Sequence, residues 1–458
     1  MWLAWGATFG AQAHGFEERY DLPVPLAYVI AGACAVVLLT FVVAVVWIRR
    51  PDAAQNRPSI SAPLRQGSVN KHGICRCLPK AISFFLFALT LASALWGTHD
   101  PLMNLAPTLI WIGWWVGLSF AVIIFGNIWP QLDPWRSLFE LLNAVARRLG
   151  LTKGIALNWP WSDRIGRWPA TVFLLVWCGL EVIYPIAMSP IKLGCLAVAW
   201  SVINVTGMVC FGREVWQCHA DVFAVYFATL GRQIGNRPTT GSEVVVAGEV
   251  GFVLAMLSTV LFDGLHGSAT WGYFDGALQA WIPQWLDTNG YVAGVLGLLT
   301  VWLIFVAAYQ LACQLCFALM PTPISSYCNP FTRLFLPTLI PIAAAYLIAH
   351  NFSNLLIQGQ TLISLLSDPL GRQWDILGTA KFYPDIGLVD AKLTWIVALV
   401  AIVGGHVISI WRAHRLALSV GLSGAHTAIA ALPLTLLMIV YTGISLMVLA
   451  APMVSPAP

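Results

Sequence analysis

The sequence predicts an all-α protein, a polytopic transmembrane helix bundle of about ten spans. Of its 458 residues, 59% are hydrophobic and only 10% are charged, whereas a soluble chain carries about 25% charged residues. Its 22 tryptophans are typical of the belts that amphipathic rings form where a membrane meets water. Backbone groups inside a bilayer must be hydrogen-bonded within the chain, so apolar segments of this kind predict helices. The lipid bilayer is therefore the first partner that we expect.

Residues 1–25 precede the first apolar run, and we expect this segment to lie outside the membrane. The stretch MWLAWGATFGAQA, residues 1–13, ends in a small-x-small pattern that resembles a signal peptidase site, although no basic residue precedes it. Cleavage there would make His14 the N-terminal residue, and its free amine and imidazole could chelate copper or zinc. The alternative is an ordinary extracellular tail.

The apolar runs of residues 26–450 predict a single transmembrane domain, followed by a tail at 451–458. A span needs about 20 mostly apolar residues. Such runs lie at roughly 26–48, 81–97, 105–129, 169–188, 193–211, 244–262, 291–320, 334–350, 393–411 and 427–450.

Basic residues are unevenly divided between the two sides of these runs. Most of the 24 Lys and Arg residues fall on one side, which includes the linker 49–80. The positive-inside rule makes that side cytoplasmic and predicts an even number of spans, with both termini outside. On the same side, Asp133 can cap a helix that has Pro134 in its first turn. We expect an amphipathic cytoplasmic helix over 134–149, lying on the membrane surface.

Three ionisable residues are expected at similar depth near the outer ends of spans. Glu181 lies inside the span that contains CGLEVIYP, and such a residue is a functional candidate by default. A hydrogen bond to a neighbouring helix is the alternative. Asp263 in VLFDGLHG and His350 have the alternative roles of helix caps or interfacial anchors. The candidate catalytic residues are Asp263, His350 and Glu181.

The outer face also carries the side chains that transition metals prefer. His266 follows Asp263 by three residues, although a solvated loop histidine is the simpler interpretation. His, Asp and Glu bind zinc, manganese and iron, and an N-terminal histidine binds copper. We therefore expect a divalent metal, zinc, manganese, iron or copper, with candidate ligands His350, Asp263, His266 and His14.

The stretch YLIAHNFSNLLIQGQTLISLLSDPLG places His350 where a span should reach water, and an apolar stretch follows it. That stretch is too short to cross a bilayer. We expect a re-entrant or interfacial helix near 352–367 that roofs an outer cavity. Asn351, Gln358 and Gln360 are then candidate substrate-binding residues.

The span at 393–411 contains His406 in VGGHVISIWRAH. Gly404 and Gly405 allow another helix to approach closely. His406 lies in the cytoplasmic half, too far inward to join the outer residues directly. It is a candidate proton relay, and a hydrogen bond to a neighbouring helix is the alternative.

Several stretches of the chain resemble those of a known bacterial family. They are AHGFEERYDLPVP, NLAPTLIWIGWWVGLSF, GNIWPQLDPWRSL, GRWPATVFLLVWCGLEVIYP, VLFDG, LIAHNFSNLLIQGQTLISLLSDPLG, ILGTA and GHVISIWRAHRLAL. Their order and spacing are similar to those of the bacterial integral-membrane proteins called fenitrothion hydrolases, and the resemblance covers most of the chain. Relatives often carry an acid after the histidine that matches His414, where this chain has Arg415.

The resemblance implies a hydrolase that cleaves an apolar organophosphorus triester and releases a nitrophenol. It brings no mapped active site with it. Such reactions usually use a metal-bound hydroxide and a Lewis acid on the phosphoryl oxygen. An apolar aromatic triester partitions into lipid and would suit a site inside a membrane protein.

Two other functions fit the same residues. About ten spans, the intramembrane Glu181 and a re-entrant segment also fit a multi-span transporter of a small solute or ion, although no inverted repeat is visible. His14 after a cleavage site fits a copper-handling membrane subunit. No P-loop, Rossmann fingerprint or HExxH motif occurs, and nothing favours nucleic-acid binding. The natural substrate, the oligomeric state and the need for a partner subunit stay open.

Overall fold

The computed structural model describes residues 20–47, 74–184, 188–233, 246–283, 285–319, 332, 335–419 and 425–455. His14, the predicted cleavage site and residues 49–73 of the linker lie outside the described residues. The described chain is helical almost throughout, which confirms the predicted fold class.

The helices are numbered in chain order. They are α1 (Leu26–Trp47), α2 (Ile74–Trp96), α3 (Leu105–Phe125), α4 (Trp129–Leu132), α5 (Pro134–Arg148), α6 (Trp168–Val182), α7 (Pro190–Phe211), α8 (Arg213–His219), α9 (Val222–Leu230), α10 (Glu249–His266), α11 (Ala269–Gln279), α12 (Tyr291–Ala318), α13 (Ile340–Gln358), α14 (Thr361–Leu365), α15 (Ala391–Ser419) and α16 (Ala425–Met453). Short 3₁₀ turns occupy Gly231–Gln233, Leu336–Thr338 and Ile386–Leu388.

Within the described ranges, nine helices are long and apolar enough to cross a membrane: α1, α2, α3, α7, α10, α12, α13, α15 and α16. The predicted span at 169–188 corresponds to α6, a shorter apolar helix of 15 residues. The chain is therefore a multi-pass membrane protein with close to the predicted number of spans.

The two ends of the described chain meet. Tyr20–Asp21 (β1) pairs in parallel with Val454–Ser455 (β2), with Tyr20 opposite Val454. The two ends of the described chain thus lie beside each other.

The helices α10 and α13 are the two most buried of the spans and form the centre of the bundle. Helix α10 packs against α6, α12 and α13, and α13 packs along α15. The close contact between α13 and α15 depends on Gly405, because a Cβ there would lie 2.4 Å from the Cβ of Ala345. Gly404 faces open space. The predicted close approach is therefore made by the second glycine of the pair.

The middle of α3, Leu109–Gly117, is wound as a π-helix. This segment carries Trp111, Trp114 and Trp115, which pack against Trp177 of α6. The contacts continue into a tryptophan cluster that also contains Trp129, Trp135, Trp200, Phe223, Tyr226 and Phe227. Many of the tryptophans thus pack against one another within the bundle instead of forming belts at the membrane surface. Their rings meet in the edge and tilted arrangements that aromatic pairs prefer.

Helix α5 forms as the sequence predicts. The side chain of Asp133 accepts hydrogen bonds from the backbone N–H groups of Trp135 and Arg136, and Pro134 occupies the first turn. One face stays exposed, as expected for a helix at a membrane surface, and it includes Leu141, Leu142 and Val145.

The predicted end of a span at His350 is wrong. Helix α13 continues for two further turns to Gln358, and only the short helix α14 follows after Gly359. Asn351 does not interrupt the helix because its side-chain amide donates to the carbonyl of Leu347 one turn earlier. No separate re-entrant helix over 352–367 exists among the described residues.

Candidate functional site

The two central helices bring together Asp263, in the last turn of α10, and His350, near the middle of α13. The Nε2 atom of His350 lies 2.7 Å from the Oδ2 atom of Asp263. The imidazole is almost completely enclosed, with 2% of its side chain exposed, while 34% of the Asp263 side chain is exposed. The carboxylate is therefore partly accessible, whereas the imidazole that contacts it is enclosed by the helices. Sequence reasoning placed both residues at one depth, and the structure joins them directly.

Glu181 completes this site from α6. Its Oε2 atom accepts a hydrogen bond of 3.1 Å from the indole Nε1 of Trp115, on the π-helical part of α3. Its carboxyl group lies near enough to Asp263 for the two to interact electrostatically. Asp263 and His350 are thus in direct contact, while Glu181 is linked to them only through its electrostatic interaction with Asp263.

His266 lies near this site but its ring is engaged elsewhere. It packs against Phe262 and Trp271, with ring centroids 5.5 Å and 5.4 Å away. Among the described residues, no group of three or more His, Cys, Asp and Glu side chains is arranged to hold a metal ion. Asp263 and His350 supply two adjacent donors, and His14 is outside the described residues. As arranged, the described side chains do not make a complete ligand set for the expected metal.

The predicted substrate-binding amides lie away from the pair. Gln360 donates to the backbone carbonyl of Asp385 and accepts from its N–H, which ties α14 to an outer loop. Gln358 is exposed, two turns of helix beyond His350. Asn351 is bonded within its own helix.

His406 lies deep in the bundle, completely buried on α15. Its Nδ1 atom is 2.8 Å from the carbonyl oxygen of Ile402. Its ring centroid lies 5.8 Å from that of Tyr441 on α16, and Tyr441 in turn lies 6.4 Å from Tyr346 on α13. Sequence reasoning missed both tyrosines. The spacing of Tyr346 and His350 by four residues, which puts them on one helical face, was the available signal.

The arrangement is suited to acid–base chemistry. Two interacting carboxyl groups occupy different surroundings: Asp263 is paired with an imidazole and partly open, while Glu181 is held by an indole N–H within the helices. Different environments are how proteins assign the roles of base and acid to two like groups. Searches with the chain found no matching family model, no matching curated protein and no matching solved structure.

Proposed function

We propose that the protein is a membrane-embedded hydrolase of apolar organophosphorus triesters, with Asp263, His350 and Glu181 as its acid–base site. The observation that carries the proposal is the contact of 2.7 Å between Asp263 and His350, made beside a second carboxyl group. The substrate class is supported by the resemblance of the sequence to the fenitrothion hydrolases.

In the proposed reaction, Asp263 accepts a proton from a water molecule, whose oxygen attacks phosphorus. His350 orients the carboxylate and stabilises the charge that moves through the pair. The new bond joins the water oxygen to phosphorus, and the bond between phosphorus and the aryl oxygen breaks. The aryl oxygen leaves with the electrons of that bond and takes a proton from Glu181, the proposed acid, so the product is the neutral nitrophenol. A positioned acid or base of this kind contributes about 10²–10⁴-fold to a rate.

The exposed side of Asp263 is where a substrate would arrive. The distribution of basic residues supports a periplasmic site in a bacterial inner membrane, with both termini on that side. An apolar triester would reach it from the outer leaflet.

A divalent metal at Asp263 and His350 is a separate proposal, and the steps above use only side chains of the chain. It is tested by elemental analysis of gently purified protein. Zinc, manganese, iron or copper in stoichiometric amount, lost in the double variant Asp263→Ala with His350→Ala, would support it.

The test of hydrolysis uses the full chain in lipid nanodiscs with fenitrothion, measuring nitrophenol release by absorbance. We expect turnover in the wild type and its loss in Asp263→Asn and His350→Gln. Asp275→Asn is the matched control, because that outer acid on α11 bonds to Gln279 and not to the site. No turnover in the wild type, or equal turnover in all four proteins, would overturn the proposal.

A transporter is the second candidate, favoured by Glu181 inside the membrane and by the buried polar side chains that continue inward from His350. Solute flux into proteoliposomes without any hydrolysis product would replace the hydrolase with this function.

A further inference from the structure

A row of buried polar side chains leads inward from the Asp263–His350 pair. Tyr346 lies one turn inward from His350 on α13, and the two rings are stacked with centroids 6.5 Å apart. The Tyr346 hydroxyl and the Cε1 atom of His350 each lie 3.8 Å from the point that a Cβ would occupy on Gly264. The Cγ1 atom of Val448 lies closer, 2.9 Å from the same point. The hydroxyl and the imidazole therefore lie on the same side of α10, beside this methyl group.

The row continues across two more helices. Tyr441 on α16 follows Tyr346, and His406 on α15 follows Tyr441, with centroid distances of 6.4 Å and 5.8 Å. His406 is 15 residues from the start of α15 at Ala391, which corresponds to about 22 Å along a helix. His406 thus lies near the middle of α15, and the row connects it to the Asp263–His350 pair.

Polar atoms along the row lack hydrogen-bond partners among the described residues. They are the Tyr346 hydroxyl and the Nε2 atom of His406, and both are buried. Between them, the Tyr441 hydroxyl donates a hydrogen bond of 3.4 Å to the carbonyl of Leu257 and lies beside Ser445, and its oxygen can still accept. The Ile402 carbonyl requires Nδ1 of His406 to carry the proton, which leaves an open acceptor at Nε2. Buried polar groups are almost always satisfied, and bound water commonly provides the partner.

We propose that Tyr346, Tyr441 and bridging water molecules form a proton pathway that connects the Asp263–His350 pair to His406. Hydroxyl groups and water both donate and accept, so a proton taken up at the outer end is passed on by reversal of each hydrogen bond. The proton arriving at Nε2 converts His406 to the imidazolium, and no other atom is transferred.

The groups that face the row favour entry from the outer side. Asp263 on α10 is the acid nearest to both His350 and Tyr346. From α16 the row is faced by Tyr441 and Ser445, and from α12 by the apolar ring of Phe305, 5.1 Å from Tyr441. The carboxylate of Asp263 therefore serves as the proton-collecting end.

This pathway is independent of the proposed hydrolysis, and its test does not use activity. Deuterium replaces the ring C2 hydrogen of a histidine at a rate that depends on access to solvent protons and on formation of the imidazolium. The rate is measured for each histidine by mass spectrometry of the full chain in nanodiscs. We expect His406 to exchange in the wild type despite its complete burial.

The variants distinguish a pathway from general loosening of the fold. Tyr346→Phe keeps the ring and removes the hydroxyl, so we expect loss of exchange at His406 while exposed His99 exchanges unchanged. Tyr441→Phe should have the same effect. Tyr309→Phe is the control, because that buried tyrosine on α12 bonds to the carbonyl of Thr332 outside the row. Absence of exchange at His406 in the wild type, or an unaltered rate in Tyr346→Phe, would overturn the pathway.

Discussion

Asp263 and His350 join the two most buried spans of the protein through one contact of 2.7 Å between Oδ2 and Nε2. The contact has an enclosed side and an open side, because the imidazole is covered and the carboxylate is partly exposed. A site that receives water or substrate needs one accessible group and one enclosed group. A pair that only capped helices would not need this difference in exposure.

Replacing Asp263 with asparagine should separate function from folding. The amide keeps the size of the side chain and a hydrogen-bonding atom near His350, but it cannot accept a proton from water. We expect fenitrothion turnover to fall by about 10²–10⁴-fold, while the unfolding midpoint in detergent changes little. A variant that retains wild-type turnover would rule out Asp263 as the base.

The adjacent glycines of α15 provide a matched pair of packing variants. Alanine at Gly405 would place a methyl group 2.4 Å from the Ala345 Cβ and 2.9 Å from the Pro341 carbonyl oxygen, so α13 and α15 must separate. We expect Gly405→Ala to destabilise the protein by about 1–3 kcal/mol. Gly404→Ala meets open space and should be neutral or slightly stabilising. The thermal unfolding midpoints of the two variants test this difference. Equal midpoints would contradict the close contact between α13 and α15 at Gly405.

A buried acid at the N-terminal end of α10 forms two ion pairs, and its replacement should destabilise the fold. Glu249 lies 2.8 Å from Arg167 and 3.1 Å from Arg232. Glu249→Gln leaves the mostly buried Arg167 without a counter-charge, which we expect to cost about 2–3 kcal/mol. Glu214→Gln is the control, because its side chain is 85% exposed and its ion pair should contribute almost nothing. Similar unfolding midpoints for both variants would disprove the difference.

Asp133 should make stability depend on pH. Burial, with a contribution from the nearby carboxyl of Asp221, raises the pKa of Asp133 above its ordinary value of 3.8. The folded state then binds a proton that the unfolded state releases, so stability falls as the pH rises from about 4 towards the folded-state pKa. Asp133→Asn keeps the helix cap and removes this titration. We expect a flatter dependence of the unfolding midpoint on pH in the variant; parallel curves would show that Asp133 is not the titrating group.

Much of the fold follows from local sequence. Apolar runs located the spans, and Asp133 followed by Pro134 predicted the start of α5 because capping depends only on neighbouring residues. The end of α13 could not be predicted in the same way. Asn351 looks like a polar interruption in the sequence, yet the helix's own backbone satisfies its amide.

The sequence predicted which residues belong to the candidate site, but it did not predict their contacts or their orientation. Residues at span ends share a depth, which grouped Asp263, His350 and Glu181. The partner of Glu181, the indole of Trp115, depends on how α3 faces α6, and no local pattern reveals it. Tyr346 and Tyr441 read as ordinary core aromatics, because only the packing of three helices places them between two histidines.

The π-helical segment Leu109–Gly117 constrains how many residues its span can contain. Loss of one codon within it, with the winding of the rest unchanged, would rotate every later residue by about a quarter of a turn relative to the earlier ones. For a loss before Trp115, that indole would swing away from Glu181 and the following turn would leave the tryptophan cluster. A compensating insertion elsewhere in the same segment would restore the orientation, whereas one in a loop would not. Insertions and deletions here should therefore be tolerated only as pairs.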